Sequence, residues 1–153
     1  MMNIKLIKIQ LHKKCQEFIQ DRINNFQEAL QNSKDSANSE VKSSAGDKHE
    51  TGRAMMQIEQ EKNVKQLQEA LELKNVLEKI NPEMESNSVS SGSLVITDKG
   101  NFYIAISAGK AIIEGETYFL ISNLSPISNC FKGAKAGEKR IFNGQSYLIQ
   151  KIF

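Results

Sequence analysis

Two long, mostly polar segments, in which apolar residues recur every few positions, constrain this chain most strongly. In the first segment these residues are Leu11, Cys15, Phe18, Ile23, Phe26 and Leu30, and in the second Met56, Val64, Leu67, Ala70, Leu73, Leu77 and Ile80. This spacing places the apolar side chains along one stripe of an α-helix. Because such a narrow stripe does not stabilise a lone helix in water, the two helices are expected to pack against each other.

The connection between the two stripes is polar and contains several serines, so the first helix is expected to end within residues 32–46. A short connection favours antiparallel neighbours. We therefore predict that residues 1–82 form an antiparallel coiled-coil hairpin, which ends at Asn81 and Pro82. Helices of about 30 residues would give an arm of about 45 Å.

The second half of the chain has a different pattern of apolar and polar residues. Residues 83–91 are small and polar, which is typical of a linker. Residues 92–153 contain short β-rich runs, which predict strands at 93–97, 102–107, 117–122, 139–142 and 147–153. Ser125 as N-cap and Pro126 as the first helical residue predict a short helix that ends at Gly133. The prediction is an α+β protein whose second domain is an antiparallel sheet with one short helix.

Composition and charge narrow the functional classes. Among 153 residues, 20 Lys and Arg face 18 Asp and Glu, so a binder that neutralises many nucleic-acid phosphates is excluded. The two cysteines, Cys15 and Cys130, are far apart and form no disulfide framework, so we expect a reducing compartment, the cytoplasm. No run approaches the roughly 20 apolar residues of a membrane span, so we expect no membrane partner.

The connection between the helices carries a pair of acidic residues, Asp47 and Glu50. They are three residues apart, so at a helix start their carboxylates lie on one face. Mg²⁺ accepts one or two protein carboxylates and keeps several waters, so this pair suits a metal shared with another macromolecule. The same Asp-x-x-Glu pattern is also that of a capping box, and the two roles are compatible.

Two motifs and the order of the modules carry a resemblance to a known family. Gly46-Asp47-x-x-Glu50 lies between the two helices, and the β-rich half contains Ser125-Pro126-Ile127 and Gly133-x-x-x-Gly137-Glu138. In these features the chain resembles the bacterial Gre-type transcript cleavage factors over nearly its whole length. The resemblance implies an FKBP-like fold for residues 92–153.

The resemblance also implies a partner and a mechanism. Such factors bind RNA polymerase beside its secondary channel and bring two acids at the tip of the coiled coil to its active centre. Here those acids are Asp47 and Glu50, which would share Mg²⁺ with polymerase carboxylates and orient water to cleave the backtracked RNA near its 3′ end. Ser125, Pro126 and Ile127 belong to the docking domain. The factor would act as a monomer and would not be an enzyme by itself.

The residues after Glu50 depart from the family pattern. The family usually continues with Asn-Ala-Glu-Tyr, whereas this chain has Thr51-Gly52-Arg53-Ala54. Lys48 and Arg53 place positive charge beside the acids, where it would either contact RNA phosphates or weaken Mg²⁺ binding. A non-cleaving regulator of the secondary channel is therefore the alternative. An FKBP-like prolyl isomerase and a coiled-coil adaptor without a polymerase role are further alternatives.

Overall fold

The structure, a computed structural model, describes residues 3–42 and 47–153, with the backbone alone for 36–42 and 47–50. Two long helices come first, α1 (Ile4–Lys42) and α2 (Asp47–Glu78). The later elements are β1 (Leu94–Thr97), β2 (Gly100–Ala105), β3 (Gly109–Ile113), β4 (Glu116–Ser122), α3 (Pro126–Phe131), β5 (Lys139–Phe142) and β6 (Gln145–Ile152). The chain has two compact units, Ile19–Lys74 and Met1–Phe18 together with Asn75–Phe153. The fold class is α+β.

The unit Ile19–Lys74 is built from helical segments of α1 and α2. The α2 positions of this unit that are not exposed recur every three or four residues, as on one side of a packed helix: Gly52, Met56, Gln60, Asn63, Gln66, Leu67, Ala70, Leu73 and Lys74. The Lys74 ammonium donates a hydrogen bond to Gln20 Oε1 at 3.2 Å. The residues near the beginning and the end of this unit are therefore in contact.

The apolar stripe predicted for α2 is wrong at one position. Val64 is 43% exposed, whereas the preceding Asn63 is buried, and its Nδ2 has no hydrogen-bond partner among the described residues. Seven residues make almost two complete helical turns, so Asn63 lies in line with Met56. Val64 is rotated away from that line by about 100°.

Helix α1 begins earlier than the apolar stripe suggested. Asn3 caps it, because its Oδ1 accepts a hydrogen bond from the Lys5 backbone N–H at 3.0 Å. The added first turns bury Ile7 in addition to the predicted Leu11 and Cys15. The helix ends at Lys42, within the segment where its end was expected.

The sheet is mixed, so the prediction of an antiparallel sheet is wrong. Its six strands follow the order β3-β4-β2-β1-β6-β5, and β2 runs parallel to β4, with Tyr103 beside Leu120. The cause is β3, which was not predicted. It pairs with β4 through a turn at Glu114–Gly115, where both residues have positive φ angles. Because β3 reverses the chain direction once more between β2 and β4, β4 runs in the same direction as β2.

One face of the sheet packs against α3. The cluster there consists of Val89, Val95, Phe102, Ile104, Phe131, Ala134 and Ile149. Phe131 of α3 and Phe102 of β2 meet edge to face, with ring centroids 5.6 Å apart. The predicted short helix is confirmed, with Ser125 as N-cap and Pro126 in its first turn.

The opposite face of the sheet is covered by the first turns of α1. Tyr103 Oη lies 2.8 Å from His12 Nδ1, and both side chains are buried. Leu94, the cross-strand neighbour of Tyr103, is fully buried as well. Burial raises the pKa of the Cys15 thiol to about 12, so this thiol stays protonated at neutral pH. Strands β1 and β2 therefore have both faces covered.

The segment predicted as a linker, residues 83–91, is attached at several points. Lys8 Nζ donates to the Met84 carbonyl at 2.7 Å. Val89 is buried and its N–H donates to the Ala134 carbonyl at 2.9 Å, while Ser88 forms an isolated bridge with Lys135. From Ser88 onward the backbone of this segment is thus held by the β-rich part of the chain.

The buried hydrogen bond between His12 and Tyr103 predicts the effect of Tyr103→Phe. Loss of the hydroxyl leaves a buried imidazole nitrogen unpaired, which should lower the free energy of unfolding by about 1–3 kcal/mol. Urea denaturation measures the change. The control is Tyr147→Phe, which removes an exposed hydroxyl bound to Gln145 and should cost less than about 0.5 kcal/mol. Equal losses in the two variants would contradict this role for the buried bond.

His12 also predicts a pH dependence of stability. Burial lowers the pKa of His12, against a smaller opposite effect of the Leu77 carbonyl. Below about pH 6.5 His12 is protonated in the unfolded chain but remains largely neutral in the folded chain, because its folded-state pKa is lower. The free energy of unfolding should therefore fall as the pH decreases. Urea denaturation between about pH 7 and pH 5 tests this, because carboxylates titrate mostly below that range.

His12→Gln should flatten this dependence because glutamine does not titrate. An identical slope for wild type and His12→Gln would show that another group causes the fall.

Candidate functional site

The first candidate site is the start of α2. The helix begins at Asp47, so Asp47 and Glu50 both belong to its first turn. The side chains of Asp47, Lys48 and Glu50 lie outside the described residues, and their predicted metal and RNA contacts stay predictions. Backbone N–H groups in a first helical turn lack partners within the helix and attract carboxylates. A capping role is therefore available to either acid.

Arg53 is described, and its side chain is exposed. It follows Glu50 by three residues, which places both on the same face of α2 about one turn apart. A guanidinium carries its charge throughout the physiological pH range. Positive charge therefore lies on the helix face that bears Glu50.

Among the described residues, no group of three or more His, Cys, Asp and Glu side chains is placed to hold a metal ion. In the same residues, neither long helix is apolar enough over a sufficient length to cross a bilayer.

The second candidate site is the start of α3, at Ser125, Pro126 and Ile127. The Ser125 hydroxyl accepts a hydrogen bond from the Ser128 N–H at 3.3 Å and donates one to the Ser122 carbonyl at 2.8 Å. The Ser128 hydroxyl donates to the same carbonyl at 2.6 Å. Ser125 therefore fixes the turn between β4 and α3, and its hydroxyl is occupied within the fold.

Leu124, just before this turn, is a residue that sequence reasoning missed. Its side chain is 80% exposed, while its N–H donates to Ser122 Oγ at 3.0 Å and its carbonyl accepts from Asn129 Nδ2 at 3.4 Å. Pro126 beside it is exposed, whereas Ile127 packs partly against the core. The backbone thus holds an apolar side chain in solvent. The available sequence signal was a leucine at a turn, where polar residues are usual.

A small cavity adjoins Leu124. Its volume is about 140 Å³, and its walls include Ile104, Ser128 and Lys132. The candidate docking surface, by which we mean Leu124, Pro126 and this cavity, therefore combines apolar side chains with one lysine.

The Gly133-x-x-x-Gly137-Glu138 motif has a structural role. Gly133 and Gly137 have φ angles of +79° and +93°, a region that L-residues rarely adopt. The Gly133 N–H donates to the Val89 carbonyl at 2.9 Å, and the Gly137 N–H donates to the Ile149 carbonyl at 2.7 Å. These glycines let the chain turn from α3 into β5 while it stays bonded to the sheet.

Comparisons of the chain with protein-family models, with curated proteins and with solved structures find no match. The functional interpretation therefore rests on the motifs and the geometry described above.

Proposed function

We propose that this chain is a Gre-type transcription factor that stimulates RNA polymerase to cleave backtracked RNA. In this proposal α1 and α2 form an antiparallel coiled coil that enters the secondary channel, and residues 92–153 form an FKBP-like docking domain. The observation that carries the proposal is the start of α2 at Asp47. It puts Asp47 and Glu50 in one helical turn, at the junction between two long helices.

The length of α2 is sufficient for an arm that reaches into a channel. Helix α2 has 32 residues, which at about 1.5 Å per residue corresponds to about 48 Å. The less exposed residues of α2 recur every three or four positions, as expected of a helix that packs against another helix. The bond between Lys74 and Gln20 supports direct pairing of the two helices.

The docking surface supports contact with a large partner. Hydrogen bonds on both sides of Leu124 hold its backbone before any partner binds, so little conformational entropy would be lost on association. Burial of a leucine side chain contributes about 1.5–3 kcal/mol. Leu124 and Pro126 would supply this contact, whereas Ser125 would maintain the turn and Ile127 would anchor it to the core.

The chemistry at the tip would be shared with the polymerase. Asp47 and Glu50 would hold Mg²⁺ together with polymerase carboxylates and orient the attacking water. Lys48 and Arg53 would contact phosphates near the 3′ end of the nascent RNA. The factor would bind no metal tightly by itself and would act as a monomer in the cytoplasm.

The exposed position of Arg53 favours one alternative, a regulator that occupies the channel without supporting cleavage. Its charge weakens the negative potential that attracts Mg²⁺ to Glu50. A prolyl isomerase receives less support. Phe102 and Phe131 are 7% and 0% exposed, so their rings fill the core instead of lining an open aromatic pocket.

The docking surface predicts that Leu124→Ser weakens polymerase binding at least about tenfold, because the contact energy of the leucine is lost. Competition with labelled wild-type protein for core polymerase measures the affinity. The matched control is Ile112→Ser, which changes an exposed isoleucine on β3. Stronger loss of affinity in Ile112→Ser than in Leu124→Ser would place docking elsewhere.

The tip predicts that Asp47→Asn and Glu50→Gln abolish stimulated cleavage and leave polymerase binding nearly unchanged. The amides keep the shape of the side chains but lose the charge that holds Mg²⁺. If the acids only cap α2, the same changes should cost at most about 1 kcal/mol of stability and leave function unaltered. The assay follows shortening of RNA in stalled, backtracked elongation complexes with Mg²⁺.

Arg53→Glu supplies the complementary test, since it should strengthen cleavage if Arg53 weakens the metal site. Wild-type protein that binds polymerase but shortens no RNA, even with Arg53→Glu, would identify the non-cleaving regulator. Absence of polymerase binding would reject both and leave a coiled-coil adaptor.

A further inference from the structure

A larger cavity lies beside the start of α1, the end of α2 and the serine-rich segment 86–93. Its volume is about 570 Å³, which is within the range of small-molecule sites. The polar side chains in its wall include Lys8, Lys79, Glu85, Ser90, Ser91 and Asn123. Ser90, Ser91 and Asn123 also line the smaller cavity beside Leu124, whereas Lys8, Lys79 and Glu85 belong neither to that cavity nor to the tip.

The most unusual of these side chains is Lys8, which is 3% exposed. Lysine is almost never buried without a partner, because removing its charge from water is costly. An ammonium group has three N–H donors. Among the described residues its hydrogen-bond acceptor is the Met84 carbonyl. The buried cation therefore has more N–H donors than the one that Met84 accepts, and its side chain lines the cavity.

The charges around the cavity favour an anion as that acceptor. Lys79 adds a second ammonium to the wall, and the Lys5 ammonium is 3.9 Å from the carboxylate of Glu85. Glu85 is the acidic residue of the wall and opposes an anion, but its side chain is more than half exposed. Two lysines, Lys8 and Lys79, thus line the cavity together with one partly exposed carboxylate. Burial lowers the pKa of Lys8, the Glu85 carboxylate opposes this effect, and a bound anion would oppose it further.

Neutral donors complete the wall. The Asn123 side-chain amide is 3.4 Å from Ser91 Oγ, and the exposed Ser90 lies next to it. Gly92, with a φ angle of +88°, lets this loop approach Ile80, just after the end of α2, since a Cβ at Gly92 would lie 2.9 Å from Ile80 Cγ2. Ammonium and hydroxyl groups without arginine suit the tetrahedral oxygens of a phosphate better than the planar, bidentate geometry of a carboxylate.

We propose that this cavity binds a small phosphomonoester, with its phosphate on the ammonium of Lys8. Lys79 and the hydroxyls of Ser90 and Ser91 provide the further contacts. The remaining space takes the polar body of the ligand. This site does not depend on binding to RNA polymerase, so the two proposals fail or succeed separately.

The test uses the full chain labelled with ¹⁵N. Inorganic phosphate or glycerol 3-phosphate is added to the protein at constant ionic strength, and the chemical shifts of the backbone amides are followed by NMR. A separate titration with acetate tests whether a carboxylate binds equally well. The expected result is saturable shifts at Ser90–Ser93 and Asn123 with a Kd in the millimolar range. Acetate should bind at least about tenfold more weakly.

Variants separate a built site from general attraction to lysines. Lys8→Met should weaken phosphate binding at least about tenfold, whereas Lys110→Gln, at an exposed lysine on β3, should have no effect. If Lys8→Met fails to fold because Met84 loses its donor, Lys79→Gln replaces it and should weaken binding about threefold. The proposal would be overturned by amide shifts that do not saturate, by equal shifts with acetate, or by shifts that neither variant reduces. Lys8 would then have only a structural role, as the hydrogen-bond donor to the Met84 carbonyl.

Discussion

The burial of β1 and β2 on both faces is the constraint on which the rest of the fold depends. A sheet with apolar side chains on both faces is stable only when both are covered. Here α3 covers one face, with Phe131, and the first turns of α1 cover the other, where His12 Nδ1 lies 2.8 Å from Tyr103 Oη. The start of α1 therefore belongs to the same compact unit as the sheet, although many residues separate them in the sequence.

The residues that stabilise this fold and those that carry the proposed function are largely different. Ser125 and the two glycines at 133 and 137 maintain turns and hydrogen bonds within the chain. The side chains of Leu124 and Arg53 are exposed, so the stability of the fold does not depend on burying them. Changes at the second group should consequently affect partners more than stability. This separation is what makes the proposed binding variants interpretable.

The sequence was sufficient for the parts of the structure that depend on local interactions. The helix at Pro126 is set by residues within a few positions of one another, and it was predicted. The parallel pairing of β2 with β4 was not, because β3 is a short strand whose place depends on a partner strand. The cavity beside Lys8 was also missed, since its partner Met84 is 76 residues away in the sequence.

Asn63 shows a different limit of sequence reasoning. Hydrophobicity alone selected the apolar Val64 for the packed side of α2, but the helical repeat puts the preceding residue there. Leu124 is the converse case, because it is an apolar residue that the turn before α3 holds in solvent. In both cases the position on the backbone, and not the polarity of the residue, determined its environment.

The two units differ in how far apart in the sequence their bonded residues lie, and they should therefore fold at different rates. His12 meets Tyr103 across 91 residues, and Val95 of β1 pairs with Ile152 of β6. Contacts between such distant positions require closure of large loops, so this unit should fold slowly. Within Ile19–Lys74 most bonds are helical and local, and such contacts form in microseconds. Until β6 joins the sheet, the outer edge of β1 is open to other chains, which makes this interval the period of greatest risk of aggregation.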